Sequence, residues 1–246
     1  MDYQVLPYPT PEHYLESVPP LPALRPAAGV ALLSLVLGAC SASAPPSMQA
    51  ASLDPVRAVP ASHTGPVLAP FAGRRVAVWP TQRVAPAGAA AWWPSGGAAD
   101  SALRTLDDSL SAVLGRRGLD GTWVFADAVE RMGRRNASFV SDPRRLTVTV
   151  LSSTKRTGDP VSEPLIGQLR ALAGVADARF ALVPAELVLG TAADGTRRAV
   201  LRLALVDVRS TQLLWTGEVA SDSTTSWSPA LAANVAEHLA DLIVPR

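Results

Sequence analysis

Three β-rich runs follow one another with little between them: ARFALVPAELVLG at 178–190, RRAVLRLALVDVRS at 197–210 and TQLLWTGEVASD at 211–222. Their Val, Leu, Phe and Trp side chains suit a pleated, half-buried surface. Asp194-Gly195 is a turn pair between the first two runs, and Arg209 to Thr211 turns the second into the third. The runs predict three consecutive antiparallel strands, a meander. In the middle run Leu201, Leu203, Leu205 and Asp207 recur with period two while Arg202 points the other way. One face is therefore expected to pack on helices and the other to be more polar.

A single three-strand meander cannot bury its apolar face alone, so the flanking segments must cover it. RRVAVWP, Arg74 to Pro80, predicts a short buried strand ended by proline. Leu103, Leu106, Leu110, Val113 and Leu114 then recur at helical spacing after Asp100, a capping residue, and Gly118 marks the exit. Arg116 and Arg117 close its last turn, where positive charge suits the carbonyl end. TWVFA, Thr122 to Ala126, predicts a second strand, with Asp127 capping a helix through about Arg135. RLTVTVL, Arg145 to Leu151, alternates and is expected as a further short strand. Ser162-Glu163-Pro164 opens another helix with a capping residue, an acid and a proline. After the meander, Ser228-Pro229 starts a final helix with Leu231, Val235, Leu239 and Leu242 in one stripe. The expected fold is an α/β layered domain with a mixed sheet, in β-α-β-α-α-β-β-β-α order, spanning residues 71–246.

What precedes this domain has a different texture. Ala27 to Ala39 is an uncharged apolar run, long enough for a signal segment but short of the roughly 20 residues a membrane-crossing helix needs. It ends in Leu37-Gly38-Ala39-Cys40, and Cys40 is the only cysteine of the 246 residues. An aliphatic residue, two small residues and a cysteine resemble the lipobox of bacterial lipoproteins. The resemblance implies that Leu37, Gly38 and Ala39 are read by a signal peptidase and that Cys40 becomes the acylated amino terminus, anchoring the protein in a membrane. A buried structural cysteine in an amino-terminal helix is the alternative. Ser41 rather than an aspartate follows, which by resemblance to the sorting rule of enteric bacteria favours the outer membrane.

Residues 1–39 are thus expected to be a signal region. Its first part carries Asp2, Glu12 and Glu16 against the single Arg25, the reverse of the positive start such a region should have. Translation is expected to begin near Val18 to Leu24, with residues 1–20 outside the native product. Residues 40–70 hold six prolines after Ser41 and few large apolar groups. Such a segment cannot offset its ordering entropy, so it is expected to be a disordered tether with a mean reach on the order of 30 Å.

The order of elements, the strand DARFALVPAEL entered from a helix, and the hairpin LRLALVDVRSTQLLWTGEV resemble the periplasmic domain shared by the TolB amino-terminal region, CsgG and LpoB. Asp207, Val208, Leu214 and Trp215 match the hairpin of those families. The resemblance covers roughly Val76 to Val244 and implies a non-enzymatic envelope fold. The long alternating hairpins of a membrane barrel are missing, so no pore is expected.

Chemistry-bearing motifs are scarce. Lys and Arg total 22 against 21 Asp and Glu, so no strong net field is available to recruit nucleic acid. One cysteine excludes an internal disulfide and any zinc site built on several thiolates. His63 stands alone in the tether. His238 shares a helix side with Glu237, Asp241 and Asn234, which reads as a solvated surface. Asp107 and Asp108 are adjacent and point apart on a helix, so they are no proton-sharing pair. No catalytic residue, metal site or cofactor is expected. The paired arginines, among them Arg74-Arg75, Arg134-Arg135, Arg144-Arg145 and Arg197-Arg198, sit mostly at element ends, where they serve solubility; an anionic ligand such as a glycan or lipid is the alternative. Trp92-Trp93, in a Gly/Ala-rich loop, is either an exposed anchor for a partner or a lid folded back on the core. The expected role is a lipid-anchored periplasmic binding or scaffold protein of the envelope. An envelope enzyme with an unrecognised site and a self-assembling homo-oligomer are the alternatives.

Overall fold

A computed structural model describes residues 66–85, 92, 99–151, 156–191 and 196–245. Cys40, Leu37, Gly38, Ala39, Trp93 and the Asp194-Gly195 turn lie outside the described residues. Nine elements follow in the expected order: β1 (Val76–Val78), α1 (Ala99–Leu114), β2 (Trp123–Val124), α2 (Ala126–Arg135), α3 (Leu165–Val175), β3 (Phe180–Thr191), β4 (Arg197–Asp207), β5 (Gln212–Ala220) and α4 (Pro229–Asp241). The strands form one sheet in the order β2-β1-β3-β4-β5. β1 runs parallel to both β2 and β3, and β3, β4 and β5 form the antiparallel meander.

This order dictates where the helices go. The chain leaves β1 toward β2 through α1, then returns past β1 to β3 through α2 and α3. Crossovers between parallel strands are right-handed, so reversing the direction of travel puts the second set of helices on the opposite face. α1 and α4 accordingly share one core with Val76, Val78, Leu182, Leu187, Leu201, Leu203 and Leu205. α2 and α3 share the other with Ala77, Ala181, Val183, Ala204 and Val206. Val76 and Val78 face one core while Ala77 faces the other, the period-two signature of a strand buried on both sides. Each fully buried leucine contributes about 2 kcal/mol to this arrangement.

Local details correct several expectations. RLTVTVL is not a strand: Val148–Leu151 form a 3-10 turn. The backbone there is satisfied by side chains instead of a ladder, since Leu146 N donates to Gln82 Oε1 at 2.8 Å and Thr147 N to Gln168 Oε1 at 2.9 Å. Ser162 does not cap α3; the Glu163 carboxylate does part of that work, accepting from Gly167 N at 3.1 Å. Asp100 and Asp127 sit inside the first turns of α1 and α2, where a carboxylate still complements the helix dipole. Gly118 leaves α1 with φ of 86°, as an exit glycine should. Ser228 caps α4 as expected, accepting from Leu231 N at 3.2 Å, with Pro229 following.

β4 also departs from a simple amphipathic strand. Leu201, Leu203 and Leu205 pack under α1 and α4, but on the opposite side only Arg202 is exposed, while Ala204 and Val206 are buried with α3. The polar face is thus confined to one end. On the α1/α4 face, opposite Leu205 and Leu203, the Trp215 indole lies against the Gly217 backbone, and a methyl group at 217 would overlap the ring. Gly217→Ala is expected to cost about 1–3 kcal/mol through the forced displacement of Trp215, measurable as a lowered urea midpoint with an unchanged slope.

Candidate functional site

Among the described residues α3 covers one end of the β3–β5 face, and no helix lies over the other. A lateral row of charges crosses it, set by register: Glu186 is opposite Arg202, and Arg202 opposite Glu218. Arg202 Nη1 lies 2.9 Å from Glu186 Oε2 and its Nε 2.9 Å from Glu218 Oε1, while Arg83 Nη2 closes the row 3.0 Å from Glu186 Oε1. Burial works against the charge on Arg202, but Glu218 and Glu186 outweigh it and hold the guanidinium above its ordinary range. Half-exposed pairs of this kind contribute little to stability, about 0–1 kcal/mol each. They do fix the pattern that a partner meets. Between this row and the 148–151 turn runs a groove of about 460 Å³, lined in part by Leu203, Ala204, Thr216 and Gly217.

The wall of that groove is pinned from inside. Asp107 on α1 is buried and accepts from Thr81 N at 2.8 Å and Thr81 Oγ1 at 2.7 Å. Arg144 Nη2 is 3.0 Å from Asp107 Oδ2 and also pairs with Glu130 of α2. Gln82 binds the same segment, donating to the Pro143 carbonyl at 2.9 Å. Burial pushes the Asp107 carboxyl up to about 6, although Thr81 and Arg144 both pull it down. A buried acid of this kind often marks a reactive site, but here Oδ1 accepts from Thr81 and Oδ2 is ion-paired with Arg144, without a hydrogen bond. Asp108 takes no part.

At the opposite end of the sheet, Asp207 closes the β4–β5 hairpin. Its Oδ1 accepts from Arg209 N at 3.0 Å and Ser210 N at 3.3 Å, and its Oδ2 from Arg179 Nη2 at 2.6 Å. Burial raises its pKa, but Arg179 and the turn amides outweigh burial and hold it below the usual carboxylate range. Of the matched positions, Asp207 closes the hairpin, while Val208, Leu214 and Trp215 pack against the two cores.

Trp92 is 2% exposed and belongs to the core shared with α1 and α4, which removes it as an exposed partner anchor: the indole is folded back onto apolar side chains. Glu237 and Asp241 are not simply solvated. Arg117 Nη2 lies 2.8 Å from a carboxylate oxygen of each, and Arg116 Nη2 3.1 Å from Glu237, so the arginine pair clasps α1 to α4. His238 Nδ1 is 2.6 Å from the Ala220 carbonyl, so that nitrogen carries a proton and donates. Among the described residues no group of three or more His, Cys, Asp or Glu could hold a metal ion, and no helix is long and apolar enough to cross a membrane.

No protein-family model matches the chain, and no curated protein matches it in sequence. Among solved structures it is similar to PelC from Paraburkholderia phytofirmans, a dodecamer, at 15% identity over 75% of this chain and 96% of that one, with a TM-score of 0.35. It is similar to Escherichia coli LpoB at 15% identity over 87% and 91% of the two chains, with a TM-score of 0.36. The carboxy-terminal domain of Salmonella enterica LpoB follows at 14% identity over 63% and 94%, with a TM-score of 0.31. Identities this low carry no residue role over to this chain.

Proposed function

We propose that this protein is a lipid-anchored, non-enzymatic binding module of the cell envelope, held at the periplasmic face of the outer membrane through Cys40 and engaging a protein partner with the open end of the β3–β5 face. The observation that carries the reading is the unfinished helical layer over that face. A charged row and a groove stand there with no covering element among the described residues, while the buried Asp107 is enclosed by structural partners. The Leu37 to Cys40 sequence supports the anchor, and the proline-rich stretch after it supplies reach.

A second reading, self-assembly through an edge strand, draws on β5. Only its start is covered, by Gly158 N to Leu213 O at 2.7 Å and Leu213 N to Asp159 O at 2.9 Å. Beyond Leu213 its outer edge has no strand partner among the described residues, and such an edge is a template for another strand.

One experiment separates these readings. With a photo-crosslinker at Thr216 in native cells, a discrete adduct to a different envelope protein is expected, lost in Arg202→Glu. Cys40→Ser is expected to abolish fatty-acid labelling, leave the apolar run at 27–39 uncleaved, seen as a larger product, and reduce the adduct. An adduct between two copies of this chain would establish assembly instead. No adduct, or a native chain that carries no lipid, would overturn the corresponding half of the proposal.

A further inference from the structure

A second concavity, of about 860 Å³, lies at the end of the sheet where β1 and β3 begin. Five arginines line it from four separate segments: Arg74 and Arg75 before β1, Arg170 on α3, Arg179 before β3 and Arg209 after β4. Asp177 is the one carboxylate in the lining, and buried Asp207 neutralises Arg179 from behind. Five guanidinium groups thus face two carboxylates. The carboxyl end of α3 points into the same region, but a helix end supplies only about half a negative charge.

The arginines are also underused. The Arg74 and Arg209 side chains make no hydrogen bond or ion pair among the described residues. Arg75 and Arg170 each use only Nε, at 3.5 Å to the Ala176 carbonyl and 3.4 Å to the Val208 carbonyl, leaving their terminal nitrogens without protein partners there. Like charges held near one another repel, and a fold that required only solubility would gain nothing by converging them on a hollow. The floor is not polar throughout: Phe71 and Phe180 meet edge to face with centroids 5.2 Å apart, and the Arg179 guanidinium lies 5.2 Å from the Phe180 ring centroid.

We infer that this concavity binds a phosphate-bearing anion, the guanidinium forks of Arg74, Arg75, Arg170 and Arg209 taking the phosphoryl oxygens and the Phe71–Phe180 pair receiving the ring or chain attached to them. Guanidinium groups pair oxyanions through two parallel N–H donors, and several of them suit a group carrying more than one negative charge. The site shares no lining residue with the β3–β5 groove and does not depend on the partner-binding reading.

The same chemistry occurs on a soluble phosphate ester and on an anionic lipid headgroup, so the test has two arms. Both use the mature chain, residues 40–246 with Cys40→Ser, so that neither an acyl group nor the apolar run at 27–39 can itself hold the protein on vesicles. In the first arm pyrophosphate is titrated calorimetrically. In the second, the chain is sedimented with phosphatidylcholine vesicles with and without phosphatidylglycerol. Binding in at least one arm is expected, weakened roughly tenfold by Arg74→Ala and again by Arg209→Ala, with the thermal midpoint unchanged because both side chains are exposed. Pyrophosphate binding alone identifies a soluble ester; selective sedimentation with phosphatidylglycerol identifies a headgroup. Binding in neither arm, or binding that the two substitutions leave unchanged, overturns the inference.

Discussion

Trp92→Ala is expected to destabilise the domain by about 3–5 kcal/mol, the range for removing a large aromatic side chain from a core. For a domain of this size that is a fall in Tm on the order of 10 °C. The reason is position: Trp92 is among the largest fully buried side chains and shares its core with Leu103, Leu106 and Leu110 of α1 and with Leu231 and Val235 of α4. Truncation leaves an indole-sized void between the sheet and two helices that are already locked by the Arg117 clasp, so collapse cannot refill it. An exposed anchor would give the opposite pattern, with partner binding lost and Tm unchanged. Thermal unfolding of the purified variant, read beside the Thr216 crosslink, separates the two. A Tm within 2 °C of the parent would return Trp92 to the surface.

Trp92 also illustrates what single-sequence reading can reach. A tryptophan pair in a Gly/Ala stretch has no periodicity to assign it to a face, so burial depends on contacts with α1 and α4, far along the chain. The elements with periodicity were legible. The α1 and α4 stripes, the short β1 strand and the three meander runs appear where spacing places them, in the expected order. Failures came where side chains replace backbone partners. RLTVTVL alternates like a strand, yet Gln82 and Gln168 take its amides and bend it into a turn. Arg202 predicts a polar face along β4, yet α3 reaches over Ala204 and Val206 and Val200 is buried too, so Arg202 is the one exposed side chain of the strand.

The charged sites were less legible still, for a related reason. Arg117 and Glu237 are 120 positions apart, and Arg144 and Asp107 come from different faces of a wound sheet. Each residue alone reads as a solvated helix position. Only the topology, which sends α1 beside α4 and the segment after α2 back over the end of β1, turns them into a clasp and a buried network. One signal was present: Arg74-Arg75 directly precedes β1, so both side chains must emerge at the starting end of the sheet, where the turns before β3 and after β4 also lie.

The buried acid gives the prediction with the clearest sign. The ordinary value for the Asp107 carboxyl is 3.8, and in the folded protein it is raised to about 6. Between those values the folded state keeps a proton that the unfolded chain has released. Stability from this residue is therefore greatest below about pH 4, declines as the pH rises to about 6 and is flat above, a total change of about 3 kcal/mol. Asp107→Asn removes the titration yet leaves an Oδ1 to accept from Thr81. Its stability relative to the parent is expected to rise by about 3 kcal/mol between pH 4 and pH 7 in urea unfolding; parallel pH profiles would contradict the assignment. Asp107→Ala should behave differently. It strands the Thr81 donors and one side of Arg144 in the interior, at a cost of about 3–5 kcal/mol. Arg144 anchors the segment that Gln82 holds at Pro143 and Leu146 and that ends in the Val148–Leu151 wall of the groove. The alanine variant should therefore also lose the Thr216 crosslink before the domain unfolds, whereas the asparagine variant keeps it.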